Sequence, residues 1–234
     1  VGAPDDEGAL PLLEFALTQL WGKQSADRVL THTVYEEIGR VSGAIRQHAQ
    51  AAYDRLDQNE RMLTRRLFGR LVSVPTGDEQ GDRLTRRQVE LQSLDAAMQT
   101  LAKRELANRR LVFISHVSDQ RDTVEIVHEA LLTNWPELAA WIREDRATIL
   151  RLQALSTAAA AYSNASNNPD LLYRGRQLRD ILAWAVTHKA ELTTSERDFL
   201  STSQKYQQRR SLILFGGYAL TALVIPLAAV WLMW

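Results

Sequence analysis

Two positions in this chain combine residue type and placement in a way that suggests chemistry. Val127-His128-Glu129-Ala130-Leu131-Leu132 sets a histidine where an extended run gives way to a helical pattern. Gly8-Ala9-Leu10-Pro11-Leu12-Leu13-Glu14 sets a proline at the start of another helical pattern. An imidazole at such a seam can donate a hydrogen bond to an oxyanion whether neutral or protonated. A proline ring is a rigid apolar surface without an amide donor, suited either to a planar ligand or to the first turn of a helix. The plainer alternatives are a packed histidine bridging two elements and a helix-starting proline.

Much other chemistry is excluded. No GxxxxGK[ST] loop, Gly-rich dinucleotide turn, HExxH pair or nucleophile elbow is present, so the chain is not expected to cradle a triphosphate, hold a catalytic metal or act as an independent enzyme. His32, His48, His116 and His188 are scattered without metal-ligand spacing, and the absence of cysteine removes disulfides and thiol nucleophiles. Lys plus Arg (28) equals Asp plus Glu (28), so no overall field draws the chain to nucleic acid. Trp135 and Trp141 read as packing residues. The arginine pairs 65/66, 86/87 and 109/110 read as solvated faces or contacts to a missing partner.

The elements that would position Pro11 and His128 follow from apolar periodicity. Leu10, Leu13, Leu17 and Leu20 form one stripe of a first helix that Gly22 ends. Ser42 is the expected cap of a second, with Ile45, Ala49, Ala52 and Leu56 buried, and a third begins near Asn59 with Leu63, Leu67, Leu71 and Val74. A polar loop spans 75–82. Thr85 with Gln88 predicts a capping box and a short helix, and residues 94–105 predict another, with Leu94, Met98 and Leu101 on one side. Extended runs at 111–115 and 123–127, joined at 119–122, predict a hairpin that needs the helices beside it to persist. Three helices and a two-stranded wing are the winged-helix order. Beyond His128 the pattern is helical: Leu131, Trp135, Leu138 and Ile142 make a stripe interrupted at Pro136, and Ile149, Leu152 and Leu155 make the next. A loop at 164–169, a face of Leu171, Leu178, Ile181, Leu182 and Ala185, and a capping box at Thr193 and Glu196 complete the connector.

Residues 211–234 carry no charge over 24 positions, long enough as a helix to cross about 30 Å of hydrocarbon. They predict a single transmembrane helix. Lys205, Arg209 and Arg210 before it predict a cytoplasmic location for residues 1–210. Val1 is not a Met and Trp234 ends inside the apolar run, so a longer parent protein is expected.

Five phrases in order, GALPLLEFALTQLW, SGAIRQHAQAAYDRL, VEIVHEALLTNWPELAAWIREDR, LLYRGRQL and LTTSERDFLSTS, resemble the region that follows the ATPase core in bacterial STAND-class NTPases. The likeness is to the novel STAND group, often followed by a hydrophobic span and a WD-repeat propeller. It implies a nucleotide switch in which a helical module lines the adenine pocket with a proline and a winged helix offers a histidine to the phosphate of ADP. Pro11 and His128 match those two roles. Val127 and Glu129 stand where the broader family has Met and Asp, and Ala9 stands where a G-x-P phrase has Gly. ATP or ADP, with magnesium, would bind only together with an upstream P-loop core, and a downstream repeat domain and homo-oligomers are further implied partners.

The expected fold class is therefore mainly α: an ARC-like helical module (1–57), a winged helix with a short hairpin wing (58–127), a helical connector (128–210) and a transmembrane helix (211–234). The expected function is the regulatory, membrane-anchoring segment of a signal-transduction ATPase. Two alternatives stand beside it. One is a membrane-anchored winged-helix DNA-binding regulator, weakened by a near balance of twelve Lys or Arg against ten Asp or Glu between Asn59 and Val127. The other is a structural adaptor without a nucleotide role.

Overall fold

The computed structural model describes residues 9–25, 27–75, 84–117 and 121–211. The chain divides into two compact units, Val1–Gln153 and Ala154–Trp234, with the boundary inside a helix. The helices are α1 (Ala9–Gly22), α2 (His32–Glu37), α3 (Arg40–Asp54), α4 (Gln58–Arg70), α5 (Ala96–Leu101), α6 (Ala130–Asn134), α7 (Pro136–Glu144), α8 (Arg146–Asn164), α9 (Gly175–Thr187) and α10 (194–211). The strands are β1 (Val72–Ser73), β2 (Thr85–Arg86), β3 (Val89–Glu90), β4 (Val112–Val117) and β5 (Arg121–Ile126). β1 pairs with β2, and β5 lies between β3 and β4 in a second antiparallel sheet.

The first unit is built around α3 and α4. On α3, Gly43, Ala44, Ile45, Ala49 and Ala52 are buried, and the glycine and alanines among them let α1 and α6 lie close. The cap is Gly39 rather than Ser42. Gly39 has φ of 79°, and a Cβ there would sit 3.0 Å from the Cα of Gly43, so only glycine allows α2 to end and α3 to begin so abruptly. α2 itself is an element the periodicity does not reveal; Thr31 caps it by accepting from the Val34 amide. α4 starts with a full capping box, Asp57 and Glu60 each accepting the other's backbone N–H, and buries Leu63, Leu67 and Phe68.

Trp135 closes this core. It is fully buried, its Nε1 donates to Gln50 Oε1 at 3.0 Å, and its ring meets Phe68, Tyr53 and Trp141 at centroid distances of 5.6, 5.9 and 5.3 Å. Edge-on arrangements at these separations bring positive ring edges onto negative faces. Pro136 sits at the first position of α7, so the chain turns between α6 and α7 where a proline costs nothing. Arg65 on α4 ties down the far end of α7 through Asp145 (2.7 and 2.9 Å) and Glu144 (2.8 Å).

Several sequence-based expectations are corrected. α1 buries Phe15, Ala16 and Leu20, while Leu13 (44%) and Leu17 (48%) are exposed, so of the expected leucine stripe Leu20 is packed and Leu13 and Leu17 are not. Thr85 to Gln88 forms no capped helix. These residues belong to β2 and the approach to β3, and the Gln88 amide donates to Thr123 Oγ1 (2.9 Å) and Ser115 Oγ (3.4 Å) across the hairpin. The segment expected as one helix at 94–105 is capped by Asp95, starts as α5, and then widens into a π turn at 102–106, with the Ala107 amide bonded to the Ala102 carbonyl. The hairpin runs longer than expected, β4 to β5, with residues 118–120 of its connection outside the described residues.

The membrane helix in the expected fold class is also corrected. Among the described residues no helix is long and apolar enough to cross a membrane. The longest fully described helix, α8, carries Arg146 and Arg151, and α10 carries Glu196, Arg197, Asp198, Lys205, Arg209 and Arg210, charges that hydrocarbon does not accommodate. Residues 212–234 of the expected span lie outside the described residues. The fold is mainly helical with two small sheets, and the single-pass location with residues 1–210 cytoplasmic, which depended on that anchor, does not stand.

In the second unit, Tyr162 and Tyr173 pack edge-on to Phe199 at 5.7 and 5.1 Å. The Thr193–Glu196 capping box forms as read from the sequence, Glu196 accepting from the Thr193 amide at 2.8 Å and Thr193 from the Glu196 amide at 3.3 Å.

Candidate functional site

His128 lies one residue beyond β5 extended by Val127, whose amide donates to the Leu111 carbonyl at 3.2 Å. Its own carbonyl accepts from the Leu131 amide at 3.0 Å and so opens the turn into α6. The backbone on both sides is therefore fixed by hydrogen bonds, and the imidazole is held at the seam that the sequence suggests. It is half-buried.

Phe15 of α1 joins the two ends of the site. Its ring meets His128 edge-on at 6.3 Å and His48 of α3 edge-on at 5.0 Å. His48 Nε2 lies 2.7 Å from the Arg109 carbonyl, which fixes Nε2 as the donor. Pro11 lies in the first turn of α1, one helical turn before Phe15. Its side chain is outside the described residues. The structure thus brings the helix that bears Pro11 against His128 through Phe15, a residue the sequence reading counted only as part of a phrase.

Two charged groups act on His128. Burial pushes the imidazole below the ordinary histidine value of 6.5, Arg86 on β2 pushes it the same way, and Glu14 on α1 partly opposes them. Arg86 is also a structural neighbour: its Nη1 donates to the carbonyls of Ile126 (3.2 Å) and Val127 (3.4 Å), directly before His128. Near neutral pH the imidazole is held uncharged, able to donate one hydrogen bond and accept another. From the sequence Arg86 reads as half of a pair that is either a solvated face or a contact to a missing partner. Only the reach of its side chain from β2 to the carbonyls at the end of β5 reveals its place here, and a two-residue strand leaves no periodic signal.

Among the described residues there is no group of three or more His, Asp or Glu side chains that could hold a metal ion. The donors gathered at the corner are an imidazole and a guanidinium, which suit an oxyanion better than a cation. Among the described residues Glu14 is the carboxylate that acts on His128.

The chain belongs to the novel STAND NTPase 1 family, whose model matches residues 2–170, a stretch that includes Pro11, Arg86 and His128. No curated protein and no solved structure matches it. A role related to the STAND NTPases follows from that membership.

Proposed function

We propose that this chain is the nucleotide-state sensor of a STAND NTPase, working with a P-loop core elsewhere in the same protein. In this reading residues 58–127 act as a winged-helix-like module, Pro11 lies against the adenine of bound ADP, and His128 donates a hydrogen bond to its phosphate. ATP or ADP and magnesium belong to the shared site and are held chiefly by the core. The observation that supports the reading best is the placement of a half-buried, uncharged histidine, fixed by backbone bonds on both sides, against the helix that bears Pro11.

The switch has two states. ADP favours the closed one, in which His128 reaches the phosphate, and exchange for ATP releases the module for assembly with further copies or a downstream repeat domain. Such a switch works only to the extent that ADP binds the closed state better than the open one, since equal affinities shift nothing. A hydrogen bond to a charged group contributes roughly 1.5–3 kcal/mol.

The test uses the parent protein with its P-loop. His128→Ala should speed ADP release on the order of tenfold to a hundredfold while altering ATP release less. A variant that melts at a lower temperature yet keeps the wild-type ratio of ADP to ATP affinity would identify His128 as a packing residue and end the sensor reading.

A further inference from the structure

Arg86 has features that its role as a backbone brace does not use. One nitrogen, Nη1, serves both carbonyls, Ile126 and Val127. Among the described residues Nε and Nη2 have no hydrogen-bond partner and the guanidinium has no carboxylate within ion-pair distance. An arginine pinned at one corner of its fork keeps the other donors in a fixed plane, the arrangement that receives two oxygens of a phosphate. β2 that carries it is braced in turn, since Val72 pairs with Arg86 and the Arg87 amide donates to the Leu71 carbonyl at 2.7 Å.

The charge around this point is unbalanced. Arg86 faces His128 from β2, and His48 faces it from α3 across the Phe15 ring. Among the described residues the one acidic group acting on His128 is Glu14 from α1, which is itself exposed. Two groups able to carry positive charge are therefore held together, Arg86 on the carbonyls just before His128, and among the described residues neither has a bonded carboxylate. Neighbouring cations without a counter-ion suppress each other's protonation, and an anion placed between them reverses the effect.

We propose that Arg86 is a second phosphate ligand, so that its guanidinium and the His128 imidazole together hold the terminal phosphate of a diphosphate. The proposal rests on the reading of His128 as a phosphate donor and adds a residue and a specificity to it: a diphosphate end carries more charge and more free oxygens than a phosphodiester and fits a two-point grip. Binding is coupled to proton uptake, because an anion between the two groups favours the imidazolium. Affinity for the diphosphate therefore rises as pH falls toward the histidine range.

The experiment follows the His128 ring by NMR in the 234-residue chain while inorganic pyrophosphate is added, with ADP, AMP and sulfate as parallel arms. Pyrophosphate and ADP should raise the titration midpoint of His128, AMP and sulfate much less. Arg86→Gln retains a side-chain donor for the two carbonyls but lacks the charge. It should raise the His128 midpoint without any anion and weaken pyrophosphate binding on the order of tenfold, with an unchanged melting temperature. Arg86→Lys should recover part of the affinity. Unchanged pyrophosphate affinity in Arg86→Gln, no response of His128 to pyrophosphate, or an equal response to sulfate would each overturn the proposal. The sensor reading fails separately. If His128→Ala leaves ADP release in the parent protein untouched while the pair still binds pyrophosphate, that reading falls and the phosphate grip stands; if His128→Ala speeds release and Arg86→Gln does not, the reverse holds.

Discussion

Two positions of α3, His48 and Gln50, lead into opposite kinds of environment. Gln50 accepts the indole N–H of Trp135 at 3.0 Å, inside a knot where Trp135, Phe68, Tyr53 and Trp141 fill one another's surroundings. His48 leads through Phe15 to His128, a corner that is half-buried, polar and unbalanced in charge. The knot has the N–H of Trp135 answered and that side chain, its largest, fully buried, so its surroundings specify one arrangement. The corner has donors in excess of acceptors. α3 therefore holds rigid packing and an open polar corner within one helix, two residues apart.

The contrast should break most visibly at Trp135. Trp135→Ala removes a fully buried indole from four packed elements and is expected to cost about 3–5 kcal/mol, read from denaturant unfolding of the chain. A loss below about 1 kcal/mol would mean that the knot is not the organising core.

A smaller effect sharpens the same point. Gln50→Leu leaves the Trp135 N–H buried without an acceptor and should cost about 1–3 kcal/mol. In a Trp135→Phe background, where no N–H remains, most of that cost should vanish. A double-mutant cycle with no coupling would show the hydrogen bond to be incidental.

The smallest effect is expected at the corner. His128→Gln should change stability at pH 7.5 by no more than about 1 kcal/mol, because the side chain is only half-buried. Its signature is in the pH dependence. The folded-state value of His128 lies below 6.5, so on acidification the unfolded chain takes up the proton first. The stability due to the neutral imidazole is fully present above about pH 6.5 and is lost as pH falls through the lower, folded value. His128→Gln should flatten that decline. A wild-type chain whose stability rises on acidification through this range would contradict the assigned direction.

The legible parts of the fold were those whose residues repeat. α4, α7 and the hairpin follow from apolar spacing, and the break at Pro136 and the Thr193–Glu196 box follow from local turn chemistry. Elements of two residues were not legible. β1, β2 and β3 are too short to show a period, and Thr85 with Gln88 imitates a helix cap because Gln88 serves equally well as a cross-strand donor. The face of α1 was misread for a related reason: leucines mark both the buried and exposed sides, and only the fit of Phe15 and Ala16 against α3 decides between them. Of the site, His128 and Pro11 could be singled out because each stands at the edge of a pattern. Arg86 could not, since its neighbours Ile126 and Val127 are about forty residues away along the chain.

The π turn at 102–106 has a consequence for chain length. An α-helix brings residues four apart onto one face, whereas here the bonded pair is five apart, Ala102 with Ala107. Leu101, Ala102 and Leu106 are all buried across this widened turn, and Lys103 and Arg104 on its outer side are exposed. The turn accommodates one residue more than an ordinary helix would need between the same core positions. Deleting one residue from this turn would let it close to α geometry with the same three side chains still buried, so the helix can absorb a change of length here as a change of pitch.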